Sequence, residues 1–313
     1  MRRAAHSITR PRQILSALLR RIRHVITYKI AYIKAEKRGK VYFFPERPHP
    51  YTAVYRAFHL LGIKVLSGLP DRSQKSPTVF VWEDSTLSQH EVPALPQDCF
   101  TINKRCTDIS KSLVGRIHLE VFGYQAEVNP LIHCGAMVAK SDENGAHSGK
   151  VINGPIKERQ AGWVYQEVIQ NTSEGLNLCA SGPGKAIDFR VPVFGTVQRQ
   201  AYIKYRSLES RFGNVNDLVE LVSVERLFNS EEIGKLNKFC EGIGLDYGEI
   251  DVIRDAVSNR IFVLDINKTP LGPPNGLSKK HFMEALRFYQ QTFGTFLSLR
   301  QGGETSELWP EKF

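Results

Sequence analysis

The sequence of 313 residues has few cysteines and no long hydrophobic run. Its five cysteines are odd in number and form no CxxC pair, which argues against a disulfide framework and against a zinc site. No apolar run approaches the roughly 18 residues that a membrane-spanning helix needs. The remaining composition, with 42% hydrophobic and 24% charged residues, is ordinary for a globular protein. These features predict a cytoplasmic protein in a reducing compartment.

Acidic residues are absent from residues 1–35, a segment that is rich in arginine. Apolar residues between Ile14 and Ile26 recur at helical spacing, so we predict an amphipathic helix within a basic arm. Three interpretations stay open: a helix packed on the domain behind it, peripheral contact with an anionic membrane surface, and an organelle transit peptide. Because the arm supplies most of the net charge of +10, we expect no specific nucleic acid partner.

The segment after the arm alternates between strand and helix patterns. The strands Val41–Phe44, Ile63–Leu66 and Thr78–Trp82 surround a helical stripe that ends at Gly62. Strand, helix and strand joined by short connections predict a parallel βαβ unit. We therefore divide the chain into a basic arm, a βαβ domain, a first lobe, a catalytic core and a tail, over residues 1–39, 40–100, 101–185, 186–300 and 301–313.

Residues 244–274 contain two apolar strands around a polar turn, which predicts a β-hairpin. Side chains alternate along a strand, so Asp265 and Asn267 share a face, as do Glu249 and Asp251. A turn with an odd number of residues would place both pairs on one face of the hairpin. We expect no lysine or arginine within this cluster, and its oxygen atoms suit Mg²⁺. Surface ion pairs are the alternative.

A second polar segment, Ser141–Gly149, follows the short apolar strand Val138–Lys140 directly. Glycines let backbone N–H groups approach a phosphate closely, and a neighbouring lysine adds positive charge. The pattern is also typical of an ordinary hairpin turn, and it lacks the GxxxxGK[ST] spacing of a Walker A motif. Farther along, the strands Ile187–Gly195 and Ala201–Arg206 carry basic side chains that suit either an anion site or a solvated edge.

The order of these features resembles the ATP-grasp superfamily over roughly residues 40–300. Its most specific part is the terminal IDVIRD…RIFVLDINKTP. The resemblance implies an α/β (α+β) ATP-grasp fold with an N-terminal βαβ domain, preceded by the basic helix. It also implies ATP and Mg²⁺, with two ions expected and Mn²⁺ as an alternative ion.

The resemblance also assigns roles to individual residues. The metal ligands are Asp251, Asp265 and Asn267. The phosphate lysines are Lys140 and Lys111. The loop over the triphosphate is Asn144–Gly149, with Gly145, His147 and Gly149 among its members. The adenine would meet backbone groups of Gln166, Glu167 and Val168, and the ribose would meet Glu174. The γ-phosphate and the acyl phosphate would face Arg190, Lys204 and Arg206.

Two positions depart from the superfamily pattern. The second metal acid is Asp265, where glutamate is usual. Glu249 stands two residues before Asp251, where many ligases have an arginine. The arginine that stabilises the acyl phosphate is therefore expected elsewhere, at Arg190 or Arg254.

The activity implied by the resemblance is a Mg²⁺-dependent ligase that joins a carboxylate to an amine or a thiol through an acyl phosphate. Its partners would be ATP and small-molecule or peptide carboxylate and amine substrates. One alternative is an ATP-grasp-type kinase that phosphorylates a hydroxyl. Another is a non-catalytic nucleotide-binding or membrane-associated protein that retains the fold. The intact set of lysine, acid and asparagine favours an enzyme over this last alternative.

Overall fold

The computed structural model describes residues 39–146, 148–178, 180–213 and 215–301, the last six by backbone alone, together with five helical residues of the arm. Most of the basic arm, the tail and His147 lie outside the described residues. Within the arm, the ring of Tyr32 lies 5.1 Å from the ring of His59. Among the described residues, no helix has the length and apolarity to cross a bilayer.

The N-terminal domain is built on four parallel strands, in the order β2-β1-β3-β4. The strands are β1 (Gly39–Pro45), β2 (Ile63–Ser67), β3 (Thr78–Trp82) and β4 (Phe100–Ile102). The predicted helix is α1 (Ala53–Leu60), which Thr52 caps by accepting a hydrogen bond from the backbone N–H of Tyr55. The strand β3 is buried along its whole length, as expected for a parallel sheet. The predicted βαβ unit is present.

A small three-stranded antiparallel sheet follows, in the order β6-β5-β7. It is preceded by α2 (Lys111–Phe122), and its strands are β5 (Gly135–Ser141), β6 (Lys150–Gly154) and β7 (Trp163–Glu167). Ser110 caps α2 by accepting a hydrogen bond from the backbone N–H of Leu113. The polar segment predicted from the sequence is the loop that joins β5 to β6.

The largest sheet runs in the order β11-β10-β8-β12-β13, with the short β9 paired to β8. Its strands are β8 (Lys185–Phe194), β9 (Thr196–Val197), β10 (Gln200–Ser207), β11 (Leu218–Ser223), β12 (Tyr247–Arg254) and β13 (Ile261–Asn267). One face packs against α2 and α3 (Ser230–Ile243) around the main core. The other face carries charged side chains over part of its area and the apolar side chains of Phe194, Tyr202 and Tyr247 over another part. The last helix, α4 (Lys279–Gln301), packs through Tyr289 and Phe293 against the core of the N-terminal domain.

The hairpin β12–β13 has the four polar side chains on one face, as predicted, but a β-bulge rather than the length of the turn is responsible. Arg254 pairs with Ile261, so the connection between them has an even number of residues. A β-bulge beyond Asp251 shifts the register by one residue, and Leu264 is the extra residue of β13. The shift places Asp251 opposite Asp265 and Glu249 opposite Asn267. The bulge thereby brings the four polar side chains to one face.

Candidate active site

The polar face of the large sheet collects charged side chains from four adjacent strands. Residues directly opposite each other in antiparallel strands share a face, so the register across β10, β8, β12 and β13 identifies the members. The core-facing residues of β8 alternate with them, as Ile187, Phe189 and Val191 show. The charged members of this face are Asp188, Arg190, Lys204, Arg206, Glu249, Asp251 and Asp265.

Asp251 is neutralised by two cations, which corrects the expectation that no basic side chain joins the acidic cluster. Arg190 donates two hydrogen bonds to its carboxylate, at 2.9 and 3.0 Å, and Lys204 donates a third at 2.9 Å. Burial acts to raise the pKa of Asp251, but the two positive charges more than offset it and lower that pKa well below its usual range. Both oxygens of Asp251 are therefore already occupied.

Glu249 lies beside this ion pair, is only 1% exposed, and has one oxygen 3.5 Å from Arg190. The hydroxyl of Tyr289 donates to its other oxygen at 3.3 Å. Burial raises the pKa of Glu249 to about 7. Glu249 thus forms an ion pair with Arg190. Arg190 is one of the two arginines predicted to replace the arginine that many ligases have at the position of Glu249.

Asp265 forms no ion pair with any lysine or arginine of the described chain. The hydrogen bond described for its carboxylate comes from the backbone N–H of Ile266. Burial raises the pKa of Asp265, against the opposing charges of Lys111 and Lys140. Asn267 lies on the same face and accepts from the backbone N–H of Thr269 through Oδ1 at 3.0 Å. Asp265 is the available carboxylate of the predicted metal set.

The donor set fits one Mg²⁺ that is also bound by phosphate. Among the described residues, no group of three or more His, Cys, Asp or Glu could hold a metal ion. Mg²⁺ commonly uses only one or two carboxylates and takes its other ligands from water and phosphate. Asp265 and Asn267 meet that need, whereas Asp251 is bound by Arg190 and Lys204.

Lys111 and Lys140 both line the pocket of the site. Lys111 is the first residue of α2, and its ammonium group donates to the backbone carbonyl of Glu143 in the β5–β6 loop. Lys140 lies near the end of β5. Burial lowers the pKa of Lys140 to about 8, and the nearby charge of Lys111 acts in the same direction. The charge of Asp265 acts on Lys140 in the opposite direction, but within the described chain neither lysine forms an ion pair with a carboxylate. Two lysines placed in this way indicate an anion site.

The β5–β6 loop is held against neighbouring elements. Asp142 accepts hydrogen bonds from the backbone N–H and the hydroxyl of Ser112, at 2.8 and 2.9 Å, near the start of α2. The backbone N–H of Asn144 donates to the hydroxyl of Thr86 in the N-terminal domain. At Gly149 the loop passes so near Phe212 that an added Cβ would lie 2.8 Å from its ring. The loop therefore contacts both the helix and the N-terminal domain.

A pocket joins these parts. Its lining combines predicted site residues with residues that sequence reasoning did not assign to the site. The predicted members are Lys111, Lys140, Gly145, Gly149, Asp251 and Asp265. Ser148 lies within the predicted loop Asn144–Gly149, and the additional members are Asp188, Arg211, Phe212 and Leu264.

The residues predicted to bind adenine and ribose do not line this pocket. The backbone N–H of Glu167 donates to the carbonyl of Ala126, so it is not free to meet a base. The side chain of Gln166 is buried and donates to Glu127. Glu174 is bound within its own loop, where it accepts from Ser173 and from the backbone N–H of Gly184.

Val168 directly follows β7, and no contact with the pocket is described for it. All four residues predicted as catalytic also lie outside the pocket lining, namely Arg190, Lys204, Arg206 and Arg254. Arg206 forms an ion pair with Asp188 and donates to Asn216 at 3.0 Å. Arg254 is directed to the helical face, where it donates to Glu232 of α3 at 2.7 and 2.9 Å. Arg254 therefore does not supply the arginine of the site.

The additional pocket residues carry weak signals in the sequence. Asp188 stands two residues before Arg190 on one strand, so period-two reasoning places it on the same face. Arg211 and Phe212 lie in the connection between β10 and β11, where no periodicity marks them. Their role follows only from the folded chain.

No protein-family model and no curated protein matches the sequence. Among solved structures, the chain is similar to the ATP-grasp ligase PsnB complexed with minimal precursor, Mg and ADP, with 13% identity and a TM-score of 0.49 over 82% of this chain and 100% of that one. It is similar to the macrocyclase MdnC from Microcystis aeruginosa MRC, bound with the precursor peptide MdnA, with 14% identity and a TM-score of 0.47 over 82% and 100%. It is also similar to a RimK domain ATP-grasp protein from Sphaerobacter thermophilus, with 10% identity and a TM-score of 0.47 over 83% and 99%. Because each TM-score is below 0.5, the reaction of this chain has to be argued from its own side chains.

Proposed function

We propose that this chain is an ATP- and Mg²⁺-dependent ligase of the ATP-grasp type, which activates a carboxylate as an acyl phosphate and transfers it to an amine. The observation that carries the proposal is the charge pattern of the pocket. Lys111, Lys140 and Arg211 line the pocket and form no ion pair with a carboxylate of the described chain. Asp265 also lines the pocket and forms no ion pair with a described lysine or arginine. A metal–polyphosphate complex carries the complementary charges.

The two lysines would bind the polyphosphate, and Asp265 and Asn267 would hold the metal ion. When bound, Mg²⁺ neutralises charge on the phosphates and orients them. Lys111 and Lys140 add fixed positive charges within a partly desolvated pocket, where electrostatic stabilisation of the transferring phosphoryl group is strong. The β5–β6 loop, held through Asp142 and Asn144, would limit the access of water to the acyl phosphate.

An oxygen of the carboxylate substrate would attack the γ-phosphorus atom of ATP, which forms the acyl phosphate and releases ADP. The amine then attacks the acyl carbon, releases inorganic phosphate and gives up a proton to solvent. The loop 269–278 follows shortly after β13, the strand that carries Asp265 and Asn267. It contacts the N-terminal domain, where the backbone N–H of Ala53 donates to the carbonyl of Leu271. This loop and the domain that supports it are the proposed position of the carboxylate.

Mg–ATP binding tests the metal assignment. Asp265→Asn should weaken Mg–ATP binding at least tenfold in a calorimetric titration and should abolish ATP turnover, because the available carboxylate of the set is lost. Asp71→Asn is the matched control, since Asp71 is exposed and, among the described residues, its carboxylate accepts hydrogen bonds only from Ser73. Equal affinity and turnover in the Asp265 variant and in wild type would contradict the assignment.

Trapping with hydroxylamine separates a ligase from the alternatives. An acyl phosphate reacts with hydroxylamine to give a hydroxamate, whereas a phosphate ester on an alcohol does not. With pooled carboxylates, ATP and hydroxylamine, we expect a hydroxamate and ADP, and Lys140→Ala should lose both. A stable phosphorylated product without hydroxamate would assign a kinase. Nucleotide binding without ADP release from any pool would assign a non-catalytic protein.

A further inference from the structure

Arg211 is a largely desolvated cation at the pocket. It follows β10 and a short 3₁₀ helix, Leu208–Ser210. Its Nη2 atom donates to Oδ1 of Asn171 at 2.8 Å and approaches the carbonyl of Ile169 at 3.4 Å. Burial lowers the pKa of Arg211. Neutral oxygens of Asn171 and Ile169 thus hold the guanidinium, and the opposing charge of Asp188 acts on it from beyond ion-pair distance.

The other arginines of this region are paired with acids. Arg190 is paired with Asp251, Arg206 with Asp188, and Arg254 with Glu232. Within the described chain, Arg211 has no carboxylate at ion-pair distance. Withdrawing an unpaired charge from water is costly, and such groups are usually retained where a ligand supplies the opposite charge.

The guanidinium also retains donors for a ligand. Arginine carries five N–H donors, and both described hydrogen bonds of Arg211 leave from Nη2. Nε and Nη1 have no hydrogen-bond partner described within the structure. A planar fork of this kind matches phosphate oxygens in a bidentate manner.

Phe212 connects Arg211 to the β5–β6 loop. The guanidinium carbon of Arg211 lies 5.4 Å from the centre of the Phe212 ring. The same ring lies against Gly149, where a Cβ would approach it to 2.8 Å. Gly149 at the end of the loop and Arg211 therefore line the same pocket as Lys111 and Lys140.

We propose that Arg211 is a further phosphate-binding residue of the nucleotide site, which binds the polyphosphate together with Lys111 and Lys140. This inference rests on the proposed ATP-dependent function. The loop end at Gly149 and the guanidinium of Arg211 both contact the ring of Phe212. The ligand class is an inorganic or nucleoside polyphosphate.

Inorganic tripolyphosphate with Mg²⁺ is the direct probe, because it lacks base and sugar. In calorimetric titrations of the full chain, Arg211→Met should bind tripolyphosphate and ATP about 10- to 100-fold more weakly than wild type, as expected for the loss of a charge-assisted bidentate contact. Arg211→Lys should recover part of the affinity. Arg226→Met, at an exposed arginine in another 3₁₀ helix, should bind like wild type.

The melting temperature of the ligand-free protein separates binding from a structural role. Unchanged tripolyphosphate affinity in Arg211→Met, with binding by wild type, would overturn the inference and leave the proposed function intact. Lost affinity in both Arg211 variants together with a large drop in melting temperature would assign Arg211 a structural role and would also overturn it. Failure of wild type to bind either ATP or tripolyphosphate would instead contradict the proposed function.

Discussion

His118 provides a sharp test of the electrostatics of the helix that carries Lys111. It lies in α2, is 2% exposed, and neither of its ring nitrogens has a hydrogen-bond partner within the described structure. Its ring centre lies 4.3 Å from that of Phe122 and 5.6 Å from that of Phe262. An imidazole in such surroundings is held neutral, because protonation would bury an unpaired charge.

The size of the effect follows from the pKa. Burial lowers the pKa of His118 from 6.5 to about 4. Because the folded-state value is depressed, the neutral histidine contributes stability that is fully present above the unfolded pKa near 6.5. That stability is lost as the pH falls through the folded pKa. At 1.36 kcal/mol for each pH unit, the loss reaches about 2 kcal/mol by pH 5 and on the order of 3 kcal/mol by pH 4.

Urea unfolding of wild type and His118→Phe at pH 7.5 and pH 5.0 measures this difference. Between the two pH values, the free energy of unfolding of wild type should fall by about 2 kcal/mol more than that of the variant, because phenylalanine cannot titrate. Any change in packing shifts both measurements of the variant equally and cancels in this comparison. His281→Phe, at a partly exposed histidine of α4, should follow wild type. Parallel profiles for wild type and His118→Phe would refute the burial of a neutral imidazole.

Two further contacts can be tested by substitution, namely that of Asn103 with the start of β12 and that of Gly149 with Phe212. Asn103 accepts from the backbone N–H groups of Asp246 and Tyr247 and donates to the carbonyl of Tyr247 at 2.7 Å, so Asn103→Ala should lower the free energy of unfolding by about 2–4 kcal/mol in urea titrations. Asn103→Gly, which accommodates the φ of 62°, should lose the same bonds with less backbone strain, and stability equal to wild type in either variant would contradict this role. Gly149→Ala should weaken Mg–ATP binding severalfold, because its Cβ would displace the Phe212 ring, and Phe212→Leu in the same chain should restore much of the loss. A double variant as weak as Gly149→Ala alone would contradict a clash with that ring.

Much of the fold could be predicted because it depends on local periodicity. The strand Thr78–Trp82 is predicted with its observed bounds, since a continuous apolar run between turn residues has few other interpretations. The shared face of Asp251 and Asp265 could be predicted only conditionally. It depends on the bulge at Leu264, and the hairpin sequence gives no local signal for that extra residue.

The charges around Asp251 could not be predicted because they depend on sheet order. Arg190 is 61 residues away from Asp251 in the chain and Lys204 is 47 residues away, and both reach it only because β8 lies between β10 and β12. Strand patterns identify faces, but they do not identify neighbours. The same limit explains Glu167, whose backbone N–H is taken by Ala126 from a segment that no strand pattern marks.

The pairing of Asp251 bears on the order in which ligands would assemble. Arg190 and Lys204 already donate to both of its oxygens, whereas within the described chain the side chains of Asp265 and Asn267 accept only backbone N–H groups. Lys111, Lys140 and Arg211 meanwhile add positive charge to the same pocket, which disfavours a free cation. A polyphosphate reverses both conditions, since it balances the three cations and supplies further oxygens to the metal. We therefore expect the pocket to bind a metal–polyphosphate complex more tightly than a metal ion alone, because Asp251 is paired with two cations whereas Asp265 is paired with none in the described chain.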